Sequence, residues 1–192
     1  VYKRHREYVD PARKIRLAIL KPDSFKVGDF REQLEKRLKL YKFETILPPE
    51  NQINFSVEGV GSEKRARLEE AVDQLIRGEI PVDIALVFLP QSDRNADNTE
   101  EGSLYSWIKK KFLDRGVITQ MIYEKTLNNK SNYNNILHQV VPGILAKLGN
   151  LPYVLAEPLE IADYFIGLDV GRMPKKYLPG SLNVCASLRL FG

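Results

Sequence analysis

The chain has 192 residues, of which 43% are hydrophobic and 28% charged, with a formal net charge of +4. That is enough apolar material for one ordinary domain plus a piece of a second. The mild basicity excludes a tail-driven polycationic binder, which would show long blocks of one charge; Cys185, the single cysteine, excludes a disulfide framework.

Residues 1–13, "VYKRHREYVDPAR", read as a linker arm, and "KIRLAIL" (14–20) reads as a buried strand closed by the turn residues "KPDS". Phe30, Leu34, Leu38 and Tyr41 recur at helical spacing, which predicts a helix over about 25–41. "KFETILPPE" starts extended and is stopped by Pro48 and Pro49; "INFSVEG" (53–59) alternates like a half-buried strand. A second helix is expected after Ser62 as N-cap, with Leu68, Ala71, Val72, Leu75 and Ile76 inward. "VDIALVFLP" (82–90) is apolar throughout, as a strand of a parallel sheet covered on both faces would be.

The polar stretch 91–102 is expected to be a loop, followed by a helix with Leu104, Trp107, Ile108 and Phe112 inward. Strand "VITQMIY" (117–123), loop "TLNNKSN", helix 133–148 and a short strand "LPYVL" complete the series. Alternating strands and helices predict an α/β fold: a Rossmann-like, doubly wound, mostly parallel sheet with helices on both faces. In such sheets ligands bind outside the carboxyl ends of the strands, where loop 91–102, Gln120 and loop 124–133 are expected to lie. Beyond residue 160 the pattern changes. "DYFIGLDVGR" (163–172) and "NVCASLRLFG" (183–192) read as a β-hairpin that opens a second domain.

Four side chains stand out. Tyr105 and Lys109 are four apart, so they share one helix face beside the apolar one. Gln120 sits within an apolar strand, and Lys147 lies near the end of its helix. Each has a plainer reading: a boundary tyrosine, a snorkelling lysine, a strand-end amide facing water, a cation suited to the helix dipole. Together, two ammonium groups, a phenol and an amide could share the oxygens of a terminal phosphate. The first turns of the helices after 91–102 and 124–132 are expected to add free backbone N–H groups. "GVGSEK" (59–64) lacks Walker spacing and reads as a strand–helix turn, and His5 and His138 are too isolated for a zinc site.

"Y-x-x-x-K" (Tyr105, Lys109), then "T-Q" (Thr119, Gln120), then "K-L-G" (Lys147, Leu148, Gly149) resembles the guide-binding pocket of the Argonaute MID domain. "YFIGLDVGR" (164–172) resembles the first strand of the PIWI domain, and "FLPQSDRNADNTEEGSLY" and "KLGNLPYVL" resemble prokaryotic members. The resemblance implies a MID domain over 14–160 and the beginning of an RNase H-like PIWI domain over 161–192. It implies that Tyr105, Lys109, Gln120 and Lys147 grip the 5′-phosphate of a short guide RNA or DNA. Tyr105 would stack on the first base, and loop 91–99 would touch it. It implies a guide-directed role in target recognition or silencing, with a complementary strand as the partner of the full-length parent.

Eukaryotic members of the family carry a further lysine where this chain has Gly143. Asp169 matches the first catalytic aspartate of PIWI domains, so it would act, with Mg or Mn, only in the full-length parent. The piece alone is expected to be non-catalytic and to hold no metal tightly. Two alternatives stand beside this reading: a Rossmann-like protein-interaction module, and a fragment whose importance lies in the PIWI nuclease aspartate.

No run of about 18 apolar residues and no secretory leader is present in the sequence, so a cytoplasmic protein without membrane contact is expected. Both ends read as cut, which suggests an excised piece of a longer protein.

Overall fold

A computed structural model describes residues 14–57, 61–78, 81–98, 103–150, 152, 165–174 and 181–191. The arm 1–13 and most of the expected strand 151–155 lie outside them. The chain divides into two compact units, Val1–Val154 and Leu155–Gly192.

In the first unit the order is β1 (Ile15–Pro22), α1 (Gly28–Leu40), β2 (Thr45–Ile46), β3 (Gln52–Phe55), α2 (Gly61–Arg77), β4 (Ile84–Leu89), α3 (Leu104–Leu113), β5 (Ile118–Tyr123), α4 (Glu124–Asn128) and α5 (Tyr133–Lys147). Every strand pairing in this unit is parallel. β1 has β4 on one side, and β5 follows β4. On its other side β1 pairs first with β2, at Ile15↔Thr45, and then with β3, from Ile19↔Gln52 to Pro22↔Phe55.

The break between β2 and β3 has a local cause. Pro48 and Pro49 have no N–H to give to a ladder, and the chain makes a 3-10 turn over Pro49–Asn51 instead. The carbonyl of Leu17 lies on β1 between the two registers. It accepts a hydrogen bond from the buried Asn51 side chain at 3.3 Å.

Side chains alternate across a strand, so a strand that is apolar throughout must meet cover on both faces. Ile15, Leu17 and Ile19 of β1 and Ile84, Leu86 and Phe88 of β4 pack with Phe30, Leu34 and Leu38 of α1 and Leu137, Val141 and Ile144 of α5. Ala18 and Leu20 of β1, with Ala85, Val87 and Leu89 of β4, pack instead with Leu68, Val72 and Leu75 of α2 and Ile108 and Phe112 of α3. The α/β fold with helices on both faces is therefore as expected. At the other end of the sheet Arg16 and Asp83 lock β1 to β4: the Asp83 carboxylate accepts from the Arg16 backbone N–H at 2.7 Å and from its guanidinium at 2.9 Å.

Several expected loops are helical. Gln91–Asn98 forms a 3-10 helix. Residues 124–132 form α4 and a 3-10 turn, Lys130–Asn132, held down by the buried Leu127, whose carbonyl accepts from the Tyr133 hydroxyl. α2 begins at Gly61, which puts Ser62 inside its first turn rather than at its N-cap.

The second unit contains an antiparallel pair, β6 (Phe165–Pro174) and β7 (Ser181–Phe191), with a register shift between Gly171 and Arg172. Asp169 lies on β6 opposite Ser187. No helix among the described residues is long and apolar enough to cross a membrane.

Candidate functional site

A cavity of ≈ 340 Å³ lies along β5, and its lining includes Tyr105, Lys109, Thr119, Gln120, Tyr123 and Lys147. All four side chains singled out in the sequence therefore meet at one place. They come from three elements, α3, β5 and α5. The cavity runs beside the strand, with Val117 to Met121 in its wall. Among the described lining residues none comes from 91–98 or 124–132, and the cavity extends along β5 to Tyr123 at the strand's carboxyl end. Space for a ligand exists beside β5 because, among the described residues, β5 pairs only with β4.

α3 presents Tyr105 and Lys109 because its other face is committed to the core through Ile108 and Phe112. Its start is fixed twice. Ser103 is the N-cap, and its hydroxyl accepts from the Ser106 N–H at 3.2 Å. The buried carboxylate of Asp93 accepts from the N–H groups of Leu104 and Tyr105 at 2.6 and 3.1 Å. An acceptor with negative charge suits a helix N-terminus, and here the protein supplies its own. The first-turn amides of α3 are therefore already taken, and the expectation that they face a ligand does not hold.

The three consecutive lysines 109–111 now separate. Lys111 is engaged with Glu69 at 2.5 Å and lies over the Trp107 ring; the hydrogen bond to Glu69 holds its pKa above the ordinary lysine value. Lys110 is exposed. Lys109 lines the cavity, with its ammonium 5.5 Å from the centroid of the Tyr105 ring and no carboxylate partner among the described residues.

Lys147 owes its place to the way α5 ends. Gly149 has φ 78°, in the left-handed region that glycine occupies without strain. The N–H of Gly149 bonds to Ala146 and that of Asn150 to Leu145, which is the Schellman pattern. The buried Asn150 side chain also donates to the carbonyls of Leu145 and Leu148. This stops the helix directly after Lys147. Its ammonium donates to the Thr119 carbonyl at 2.9 Å and to Gln120 Oε1 at 2.8 Å. The amide of Gln120 in turn donates to the Met121 carbonyl at 3.2 Å.

Lys147 as a residue is exposed, but its ammonium end is crowded by protein. Desolvation first, and then the positive charge on Lys109, hold its pKa below the ordinary lysine value. An ammonium group whose protonation is disfavoured by a neighbouring positive charge marks a place where an anion is favoured. Among the described residues, no Asp, Glu, His or Cys lines the cavity, and no cluster of three or more such residues occurs. Amines and one amide, among the described polar groups of the lining, are poor donors for a hard divalent cation.

Asp93 and Asn150 were not singled out in the sequence, and neither was Arg94, whose guanidinium lies 5.6 Å from the ring centroid of Tyr123 in the cavity wall. Gly149 was the legible signal for the helix end; Asp93 carried none, because the amides it binds are 11 and 12 residues away. Gly143, on α5, has open space where a side chain would start.

Fold and cavity together define a Rossmann-like domain with a cationic pocket beside β5, the last strand of the sheet among the described residues. No family model matches the chain. The chain is similar to a "Protein argonaute" from Aquifex aeolicus (strain VF5), at 31% identity over 114 residues. That stretch is 59% of this chain and 16% of the relative, so the similarity spans a small part of the relative's length. The chain is thus Argonaute-related in sequence.

Proposed function

We propose that the first unit is a MID domain that holds the 5′-phosphorylated end of a short guide nucleic acid, in an Argonaute of the prokaryotic type. The observation that carries this is the meeting of Tyr105, Lys109, Gln120 and Lys147 on one cavity whose described lining contains two amines and no carboxylate. A phosphate monoester carries close to two negative charges and several acceptor oxygens, which matches that donor set. Tyr105 offers a ring on which the first base can stack. The Argonaute relative supports a nucleic acid as the ligand.

In this reading the β6–β7 hairpin opens a PIWI domain. Asp169 would then belong to an acidic set completed elsewhere in a longer protein, where Mg or Mn would support cleavage of a complementary strand. The present chain anchors and does not cut. The test is chemical-shift mapping of the labelled chain during titration with a 5′-phosphorylated single strand. Shifts are expected at Tyr105, Lys109, Thr119, Gln120, Met121 and Lys147. Shifts confined to α1 and α2 would overturn the proposal.

A further inference from the structure

The ammonium of Lys147 donates to the Thr119 carbonyl at 2.9 Å and to Gln120 Oε1 at 2.8 Å, so two of its three hydrogens are used. A neutral amine has two hydrogens and one lone pair. Here two acceptors hold two hydrogens, and loss of a proton leaves the lone pair where the third hydrogen was. Desolvation of the ammonium end and the charge on Lys109 both favour that neutral form. Crowding by protein and by a second cation is a general way in which a lysine becomes a nucleophile. As a residue Lys147 is exposed, and it lines the cavity, so a reagent can reach it.

Lys109 lines the same cavity and has no carboxylate partner among the described residues. Its neighbours differ: Lys110 is exposed but outside the described lining, and Lys111 is paired with Glu69. An electrophile that carries its own phosphate is therefore drawn to Lys109, with its reactive carbon beside Lys147. Holding two reactants together in this way raises the rate of their reaction.

Resting on the reading of this cavity as a phosphate site, we propose that Lys147 is a modification site for acyl phosphates: Lys109 takes the phosphate end and the Lys147 amine takes the acyl group. The nitrogen lone pair attacks the carbonyl carbon, and a C–N bond forms. The bond from that carbon to the phosphate oxygen breaks, and its electron pair leaves with the phosphate, which also takes the proton that nitrogen loses. The products are an amide and inorganic phosphate, with nothing oxidised or reduced. The amide is neutral where an ammonium stood. The step thus weakens the cavity for a 5′-phosphate, and a bound strand in turn covers the amine.

The experiment is site-resolved mass spectrometry of the chain incubated with acetyl phosphate, with Lys110 as the internal reference. Lys147 should be acetylated at least about fivefold faster than Lys110. Excess inorganic phosphate, or a 5′-phosphorylated single strand, should slow Lys147 and leave Lys110 unmoved. A neutral acetyl ester, which has no phosphate, should prefer Lys147 by about twofold or less, and Lys109→Ala should reduce the acetyl phosphate preference to that level. Equal rates at the two lysines would overturn the proposal. So would a preference that the neutral ester reproduces and inorganic phosphate does not reduce. The phosphate reading is tested apart, by binding of 5′-phosphate and 5′-hydroxyl strands. If the chain favours the phosphorylated end while acetyl phosphate shows no preference, the acylation alone fails; if neither preference is seen, the phosphate reading fails with it.

Discussion

β4 and β5 are neighbours of equal length, six residues each, in register from Ile84↔Ile118 to Leu89↔Tyr123. All six residues of β4 are buried, whereas in β5 only Ile122 is. The difference comes from position. β4 has a strand on either side and helices over both faces, so every side chain is apolar, and it pairs with β1 from Ile84 to Val87 and with β5 along its whole length. β5 has one strand neighbour among the described residues, and its outward carbonyls need donors from elsewhere. The donors it recruits, Lys147 and Gln120, are polar groups that also line a cavity. Where a strand is flanked on both sides, sequence serves packing; at β5, the last strand among the described residues, the need to satisfy backbone groups brings polar side chains together.

The largest effect that sharpens this contrast is in β4. Phe88 is fully buried and meets Phe30 edge-to-face at 6.0 Å. Phe88→Ala should cost about 3–5 kcal/mol in urea unfolding, whereas Thr119→Ala on β5 should cost under about 1 kcal/mol. Similar costs for the two would break the comparison.

For ligand binding the order reverses. Lys109→Ala and Lys147→Ala should each weaken binding of a 5′-phosphorylated strand about 10- to 100-fold, the range for losing a charged hydrogen bond, as read by fluorescence anisotropy. Phe88→Leu, which keeps the core apolar, should leave that affinity within about threefold.

Lys147 makes binding depend on pH. Its pKa in the folded chain is below that in the unfolded chain. Between those two values the unfolded state binds more protons, so stability rises with pH across that window, and the cost of the crowded charge is fully present below it. A bound anion favours the ammonium. Affinity should therefore fall as pH rises through the depressed value, starting below the ordinary lysine range. Lys147→Arg, which stays charged, should flatten the profile there. An unchanged profile would mean that Lys147 does not face the ligand.

The smallest expected effect is a gain. Gly143 precedes Lys147 by four residues on α5, on the same face, and a side chain there meets open space. Gly143→Lys should tighten binding about two- to fivefold and steepen the salt dependence by about one further counterion.

The closed part of the molecule was legible in the sequence because burial writes itself as periodicity. The apolar runs of β1 and β4 and the Phe30–Leu34–Leu38 stripe of α1 needed nothing more. The site was legible in its members and not in its bonds. Tyr105 and Lys109 announced a shared face by their spacing, but the tie between Lys147 and Gln120 spans 27 residues and that between Asn51 and Leu17 spans 34. Spacing along the chain says nothing about such pairs. α4 stayed hidden because it is five residues long and buries one side chain, Leu127, too little to set a period.

The central claim is that the edge of β5 carries a socket for a terminal phosphate. The most direct test is a titration of one short single strand carrying either a 5′-phosphate or a 5′-hydroxyl, at the same stated salt concentration. The phosphorylated strand should bind at least about tenfold tighter, and the preference should vanish when Lys109 and Lys147 are both replaced by alanine. Equal affinity for the two ends in the unmodified chain would contradict the account.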